Sequence, residues 1–258
     1  MEHDTTMLIF SLLLGLILGS FLNVCIHRIP MRESIIFPPS SCPKCGKGIR
    51  FYDNIPVLSY IILRGKCRFC NLSIPLRYPI VELISGSLSL FLFSRYGLSF
   101  EYFTLLLFVD SLVVISFIDL SYKIIPNTIS LPGILLGFFD SLFSNHLSWQ
   151  ESFIGIIVGG GFLYIIAVIF EGVTGKQGMG MGDVKLLAMI GAWMGWKALP
   201  FIILVSSLTG SILGAAALLV TKKSLRMKIP FGPFLSFGGV IFLFLGKDII
   251  SLYIKFIL

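Results

Sequence analysis

Charged residues are scarce in this chain of 258 residues: Asp, Glu, Lys and Arg make up 13% of it, against 56% hydrophobic residues and a mean hydropathy of +0.95. A soluble domain carries about 25% charged residues, so this chain has too few to coat a globule of its size. That excludes a soluble enzyme and a disordered regulator alike. Histidine is nearly absent, and His3, His27 and His146 are too scattered to form a metal shell. No Lys or Arg precedes the first apolar run, Met7 to Ile26, so this run lacks the basic start of a cleavable signal and reads as a retained span. Internal repeats and low-complexity tracts are missing too, which removes repeat arrays and linkers from consideration.

What is present is apolar sequence in long stretches. One helical crossing takes about 20 such residues, so the length accommodates up to eight spans and one modest extramembrane segment. After Met7–Ile26, further spans are expected at 79–94, 102–120, 129–144, 153–170, 184–194, 200–220 and 234–246, separated by polar turns. The run 184–194 is too short to cross as a full helix. The expected fold is an all-α polytopic membrane protein of about eight transmembrane helices. Its divisions are a first span (1–26), a polar module (27–78) between the first and second spans, and a membrane bundle (79–258). Glycines around 159–161 and 210–214 suit close helix packing.

The formal net charge is +7, and in such a chain the basic residues are first counted by loop. With these spans, 16 of the 20 Lys and Arg fall on one side, and Arg95, Lys197, Lys247 and Lys255 lie opposite. The positive-inside rule puts the basic side in the cytoplasm and the N-terminus outside. Topology therefore accounts for the basic excess without nucleic acid, and the same face suits anionic membrane lipid.

Segment 27–78 holds Arg28, Arg32, Lys44, Lys47, Arg50, Arg64, Lys66, Arg68 and Arg77, several prolines and four of the five cysteines. Cys42-Pro-Lys-Cys45 and Cys67-Arg-Phe-Cys70 are two C-x2-C pairs separated by 21 residues. Each pair can set two thiolates on one side of a tight turn, and two such knuckles close a tetrahedral shell around zinc. Gly46 suits the first turn, and Lys44, Lys66 and Arg68 favour thiolates. Iron–sulfur ligation and two disulfides are the alternatives, the latter disfavoured in a reducing cytoplasm. Four sulfurs leave a zinc ion no open position for water, so the metal is structural. Cys25, alone in the first span, reads as a small core residue.

Carboxylates inside a membrane are expensive, and each is a functional candidate. Five fall in or at the edges of spans: Glu82, Asp110, Asp119, Asp140 and Asp183. Asp110 and Asp119 are nine residues apart, which at 100° per residue sets them on opposite faces of one helix. Asp119 ends the third span, and Asp183 follows Gly178-Met-Gly180-Met-Gly182 at the start of another, so both lie at the basic membrane face. Two adjacent carboxylates sharing a proton supply a base to activate water and an acid for the leaving amine, the chemistry of an aspartic protease. Glycines before Asp183 permit close backbone approach. The plainer alternative is that Asp183 caps a helix and Asp119 solvates a span end.

The residues resemble the prepilin peptidases of type IV pilus and type II secretion systems. Their signature joins a membrane-edge Asp and an Ile-Pro-Asp-type turn to a Gly-x-Gly-Asp motif. Here these read Asp119-Leu-Ser-Tyr-Lys-Ile-Ile125-Pro126-Asn127 and Gly180-Met-Gly182-Asp183-Val-Lys185-Leu. Gly19-Ser-Phe-Leu-Asn23, both cysteine knuckles, Asn54-Ile-Pro56, Arg64-Gly-Lys-Cys67 and Arg77-Tyr-Pro79-Ile-Val-Glu82 extend the likeness over most of the chain. The resemblance implies an enzyme of the bacterial inner membrane. Such an enzyme removes the leader of type IV prepilins or pseudopilins at the cytoplasmic face, typically between Gly and Phe, with Asp119 and Asp183 as catalytic acids. It also implies methylation of the new N-terminal amine with S-adenosylmethionine in members that carry the cysteine loop. Asn127 stands where many relatives have Asp.

Residues 27–78 hold only Gly46, Gly48 and Gly65 and no βαβ pattern, so a methyl-donor site there is unconventional and shared with the membrane helices. Glu82, Asn54, Lys66 and Arg77 are the candidate polar set for the cofactor or the substrate amine. An interfacial Glu82 paired with Arg77 is the alternative. Asp53 and Glu33 are acids that can meet a basic leader, and Met179 and Met181 either touch substrate or pack flexibly. Rival readings are a presenilin-type intramembrane protease, a transporter with Asp110 and Asp140 as ion ligands, and a non-catalytic scaffold of a pilus or secretion assembly.

Overall fold

The computed structural model describes residues 5–144, 146–175, 180–221 and 230–257, with no side-chain description at 217, 218, 220, 221 and 247–257. Gly178 and Met179, and the basic residues Lys176, Lys222, Lys223, Arg226 and Lys228, lie outside the described residues. Nine α-helices occur among those described: α1 (Thr5–Met31), α2 (Leu58–Ile62), α3 (Arg77–Tyr96), α4 (Phe100–Tyr122), α5 (Asn127–Phe143), α6 (Trp149–Thr174), α7 (Met181–Met194), α8 (Leu199–Thr221) and α9 (Gly232–Ile257). Two isolated antiparallel bridges are the only strand-like pairings among them. Four helical segments, Thr5–Met31, Phe100–Tyr122, Trp149–Thr174 and Trp196–Ala216, are long and apolar enough to cross a membrane. Each expected span coincides with a helix, and the ends differ by a few residues except at α9, which runs on from the expected 246 to Ile257. The run at 184–194 is a helix of only 14 residues, about 21 Å at 1.5 Å per residue. The chain forms two compact units, Met1–Val114 and Ile115–Leu258.

In the first unit α1 and α3 pack closely because small residues face one another. A Cβ on Gly15 would stand 2.5 Å from Ser89 Cβ, and one on Gly19 would stand 2.6 Å from Glu82 Cα. As the α1 number rises the α3 number falls, so the helices run antiparallel. Small residues one turn apart permit such backbone approach where lipid offers no hydrophobic drive. Polar side chains lock the contact: Ser89 Oγ donates to Ser11 O at 2.6 Å, and Asn23 Nδ2 donates to Tyr78 O at 3.1 Å. On the first part of α4, the hydroxyl of fully buried Tyr102 shares a hydrogen bond of 2.7 Å with Ser89 Oγ, and Asp110 Oδ1 accepts from Ser85 Oγ at 2.8 Å.

The second unit is built on the same rule. A Cβ on Gly155 of α6 would stand 2.2 Å from Gly191 O of α7, and one on Gly159 would stand 2.6 Å from Leu187 O, so α6 and α7 are antiparallel. Gly133 meets Met189, and Gly137 meets Trp193, whose Nε1 donates to Gly133 O at 2.8 Å. Both numbers rise together, so α5 and α7 are parallel and start at the same end. Gly238 faces Ile202 while Gly210 faces Phe234, which makes α8 and α9 antiparallel. With short connections between consecutive helices, the end of α4 and the starts of α5, α7 and α9 share one end of the unit.

Candidate functional site

That shared end carries both sequence-nominated aspartates. Asp119 occupies the last turn of α4 and is buried, and Asp183 lies in the first turn of α7. Asp119 Oδ2 accepts the backbone N–H of Gly232, at the start of α9, at 3.0 Å. Asp183 donates its N–H to Gly180 O at 3.1 Å. Gly180 is the N-cap of α7, so Asp183 stands inside the first turn and is not the capping residue that the plainer reading made it. It also lies within electrostatic reach of Asp119.

Ile125 is the wedge that assembles this end. A Cβ on Gly182 would fall 2.9 Å from Ile125 Cβ, and one on Gly232 would fall 3.2 Å from Ile125 Cδ1. Two glycines, one beside Asp183 and one beside Asp119, thus close on one isoleucine. Lys185 Nζ donates to Asn127 Oδ1 at 2.9 Å and ties α7 to α5. Ile125 belongs to the Ile-Pro turn that the sequence singled out, whereas Gly232 did not stand out, because a backbone N–H meeting an acid 113 residues away has no side-chain signature. Met181 is half exposed beside this end.

The other nominated acids have separate partners. Asp110 is held by Ser85, and Asp140 Oδ2 lies 3.7 Å from His146 Nε2. No described feature gives either an arrangement of several ligands.

In the first unit the two cysteine knuckles repeat each other. Cys42 N–H donates to Lys47 O at 3.0 Å and Gly46 N–H to Cys42 O at 2.9 Å; Cys67 N–H donates to Leu72 O at 2.8 Å and Asn71 N–H to Cys67 O at 3.0 Å. Antiparallel bridges close both, Ser41 with Gly48 and Lys66 with Ser73. The residue after each second cysteine is left-handed, Gly46 at φ 69° and Asn71 at φ 55°. Asn is the residue that follows Gly in tolerating this region, so Asn71 does in the second knuckle what Gly46 does in the first.

The four sulfurs lie within 4.8 Å of one another, and Cys42 and Cys70 are 3.6 Å apart. Regular tetrahedra with edges of 3.6 and 4.8 Å have their centres about 2.2 and 2.9 Å from each corner, a range that takes in the roughly 2.3 Å of a zinc–thiolate bond. The N–H groups of Cys45 and Lys44 hold the Cys42 thiol down at about 6, and those of Cys70 and Phe69 lower Cys67. At Cys70 the Leu72 N–H is outweighed by burial and the neighbouring sulfurs, which push the thiol up to about 11. Thiolates this close repel, so ionising all four calls for a cation among them. The donor set fits a structural metal.

Beside the knuckles, α1 and the start of α3 wall a cavity of about 610 Å³, within the range of small-molecule sites. Asn54, Arg77 and Glu82 of the nominated polar set line it, as do Asn23 and Glu33; Lys66 is exposed and outside its wall. Glu82 is 7% exposed, and its Oε2 accepts the Val57 N–H at 2.8 Å, a backbone donor where the alternative reading had Arg77. Val57 has φ 61° and ψ −49°, and Leu58 N–H donates to Pro56 O at 2.6 Å. This is a strained γ-turn of a kind rare for a β-branched residue. Two wall residues hold buried polar atoms without a partner: the acceptor Asn23 Oδ1 and the donor Arg77 Nε. Asn23 Nδ2 already donates to Gly19 O and Tyr78 O, which fixes the amide's orientation. With the Glu82 carboxylate, these groups suit a ligand bearing both cationic and anionic ends. Asp53, expected to meet a basic leader, accepts from Arg68 Nε at 2.9 Å, and this guanidinium holds its carboxyl below the usual range.

Apolar helices, a four-thiolate module and paired acids at one end of a helical unit define a membrane protein with two separate polar centres. Comparison with known proteins places it further. A model of the type IV leader peptidase family matches residues 106–215, and one of the bacterial peptidase A24 N-terminal domain matches residues 13–96. A protein of Stutzerimonas stutzeri named prepilin leader peptidase/N-methyltransferase is 39% identical, over 95% of this chain and 93% of its own. Proteins of the same name from Pseudomonas aeruginosa and Aeromonas salmonicida are 38% and 36% identical, covering 99% and 100% of this chain and 96% and 98% of theirs. No solved structure matches. The chain belongs to the type IV leader peptidase family.

Proposed function

We propose that this protein is a membrane aspartic endopeptidase that removes the leader from type IV prepilins or pseudopilins and methylates the N-terminus it exposes. The observation that carries the first activity is the convergence of Asp119 and Asp183 at one end of the second unit, in a family whose named relatives are leader peptidases. One carboxyl is ionised and the other protonated, and the pair titrates as a unit. The ionised oxygen takes a proton from water as the water oxygen bonds to the carbonyl carbon between Gly and Phe. The protonated member then gives its proton to the peptide nitrogen, the C–N bond breaks, and the leader leaves with a new carboxylate.

The second activity has its support in the first unit. S-adenosylmethionine supplies an electrophilic methyl group when bound. Glu82, anchored by Val57, faces the cationic part of the ligands, and Arg77 faces an anionic part. Asn54 completes the wall, and Lys66 stands outside it. Glu82 and Asn23 Oδ1 orient the new amine by accepting its N–H groups, so its lone pair is directed at the methyl. Cys42, Cys45, Cys67 and Cys70 hold structural zinc and brace that wall.

Eight helices, α1 and α3 to α9, of which α7 is short at 14 residues, form the crossings of the bacterial inner membrane, with the N-terminus outside and the dyad at the cytoplasmic face. The basic residues at that face, including Lys123 and Lys185, support this orientation and suit anionic lipid. Mass spectrometry of a prepilin incubated with purified protein and S-adenosylmethionine tests the proposal. The expected product has lost its leader and gained one methyl on the new N-terminus. Intact substrate across several prepilins, with well-folded protein, would point instead to a scaffold.

A further inference from the structure

The backbone donors from Gly232 to Leu235, at the start of α9, can be followed one by one. A helix start leaves four N–H groups without helical partners, and each buried one needs an acceptor. In α9, Pro233 has no N–H, and Phe234 and Leu235 both donate to Phe231 O at 3.1 Å. The remaining donor, on Gly232, meets Asp119 Oδ2 at 3.0 Å in a buried setting. A Cβ on residue 232 would lie 2.6 Å from that same oxygen, well inside the roughly 3.3–3.6 Å of a C–H···O contact. Glycine is thus the residue that lets the chain come close enough for the bond. The contact joins one nominated acid to a helix that carries neither of them.

We propose that Gly232 is a positioning residue of the peptidase: its N–H and the positive start of α9 hold Asp119 by Oδ2 and leave Oδ1 to face water and Asp183. The inference rests on the reading of Asp119 as one of the two cleaving acids. It explains why the C-terminal helix belongs to the site although it supplies no acid. Among the described residues Gly232 is the one hydrogen-bond partner of the Asp119 carboxyl, so without it nothing selects between the two oxygens. Ile125 reaches the same space, with Cδ1 3.2 Å from a Cβ on residue 232, so a test must separate crowding of Ile125 from displacement of Asp119.

The experiment measures prepilin cleavage by full-length protein in nanodiscs for wild type, Gly232→Ala, Ile125→Ala, Gly232→Ala/Ile125→Ala and Asp119→Asn, with thermal unfolding of each. Misplacing a catalytic group by about 1 Å costs on the order of 100-fold. Gly232→Ala is expected to lower kcat by about that factor, with KM within about twofold and a single cooperative unfolding transition, modestly lowered because the residue 232 N–H loses its acceptor. The double variant should stay as impaired relative to Ile125→Ala, because the obstacle is the Asp119 oxygen. Normal kcat in Gly232→Ala, a change confined to KM, or recovery in the double variant would overturn the proposal. So would loss of folded protein in both Gly232 variants, since relief at Ile125 leaves only Asp119 in the way. Normal cleavage by Asp119→Asn would instead remove the reading on which the proposal rests, a result distinct from the others.

Discussion

Taking the metal from the cysteine module should unfold that module and stop methyl transfer while leader cleavage continues. Among the described residues from 32 to 76, Cys42 is the only apolar side chain in the buried core. Phe51, Ile36, Phe37 and Ile62 are all more than 70% exposed in the isolated chain. Two short antiparallel bridges and the Arg68–Asp53 pair, its guanidinium at the surface, remain. Net hydrogen bonds contribute about 1 kcal/mol each and surface ion pairs about 0–1 kcal/mol, so these elements supply a few kcal/mol. Structural zinc contributes about 10–16 kcal/mol in small modules, several times as much. Cys67→Ser, or extraction with a strong chelator, should therefore open the segment to trypsin at Lys44, Lys47, Arg50, Arg64, Lys66 and Arg68. The cavity wall formed by Cys42, Cys67 and Phe69 goes with it, and methyl transfer should fall at least about tenfold. Cleavage should persist, since Asp119 and Asp183 belong to the other compact unit. A demetallated module that still resists trypsin and methylates normally would refute the reasoning.

Two further outcomes follow from local geometry. Asn71→Ala places a less tolerant residue at φ 55° and should weaken metal retention in chelator competition by about 1–2 kcal/mol, whereas Asn71→Gly should retain the metal as the native chain does. Ser85→Ala removes the hydroxyl that meets buried Asp110 and should lower stability by about 1–3 kcal/mol in denaturant unfolding. Asp110→Asn keeps an acceptor there and should leave cleavage intact; if it abolished function while Asp183→Asn did not, the transporter reading would be favoured.

The helices were legible because long apolar runs and polar turns are written along the chain, and the expected spans differ from the helices mainly at their ends. The run 184–194 gained its first turn from Met181 to Asp183, where glycines hid a helix start. The cysteine knuckles were legible from spacing, although the role of Asn71 was not, since its left-handed backbone substitutes for a glycine without resembling one. That Asp119 and Asp183 stand at one end of the second unit was legible from motif and topology together. What stayed hidden depended on backbone atoms meeting distant side chains: Gly232 on Asp119, and Val57 on Glu82. Pairing of Asp53 with Arg68 was likewise invisible, because fifteen residues separate them across a turn and a knuckle.

The most direct test of the account is the pair of single variants Asp119→Asn and Asp183→Asn, each incubated with prepilin and read by mass spectrometry beside wild type. Amides keep the shape of the carboxyls and cannot exchange the proton, so both variants should fold normally and leave the leader attached, with cleavage reduced at least about 1,000-fold. Normal leader removal by either variant would contradict a two-carboxylate peptidase at this end of the bundle.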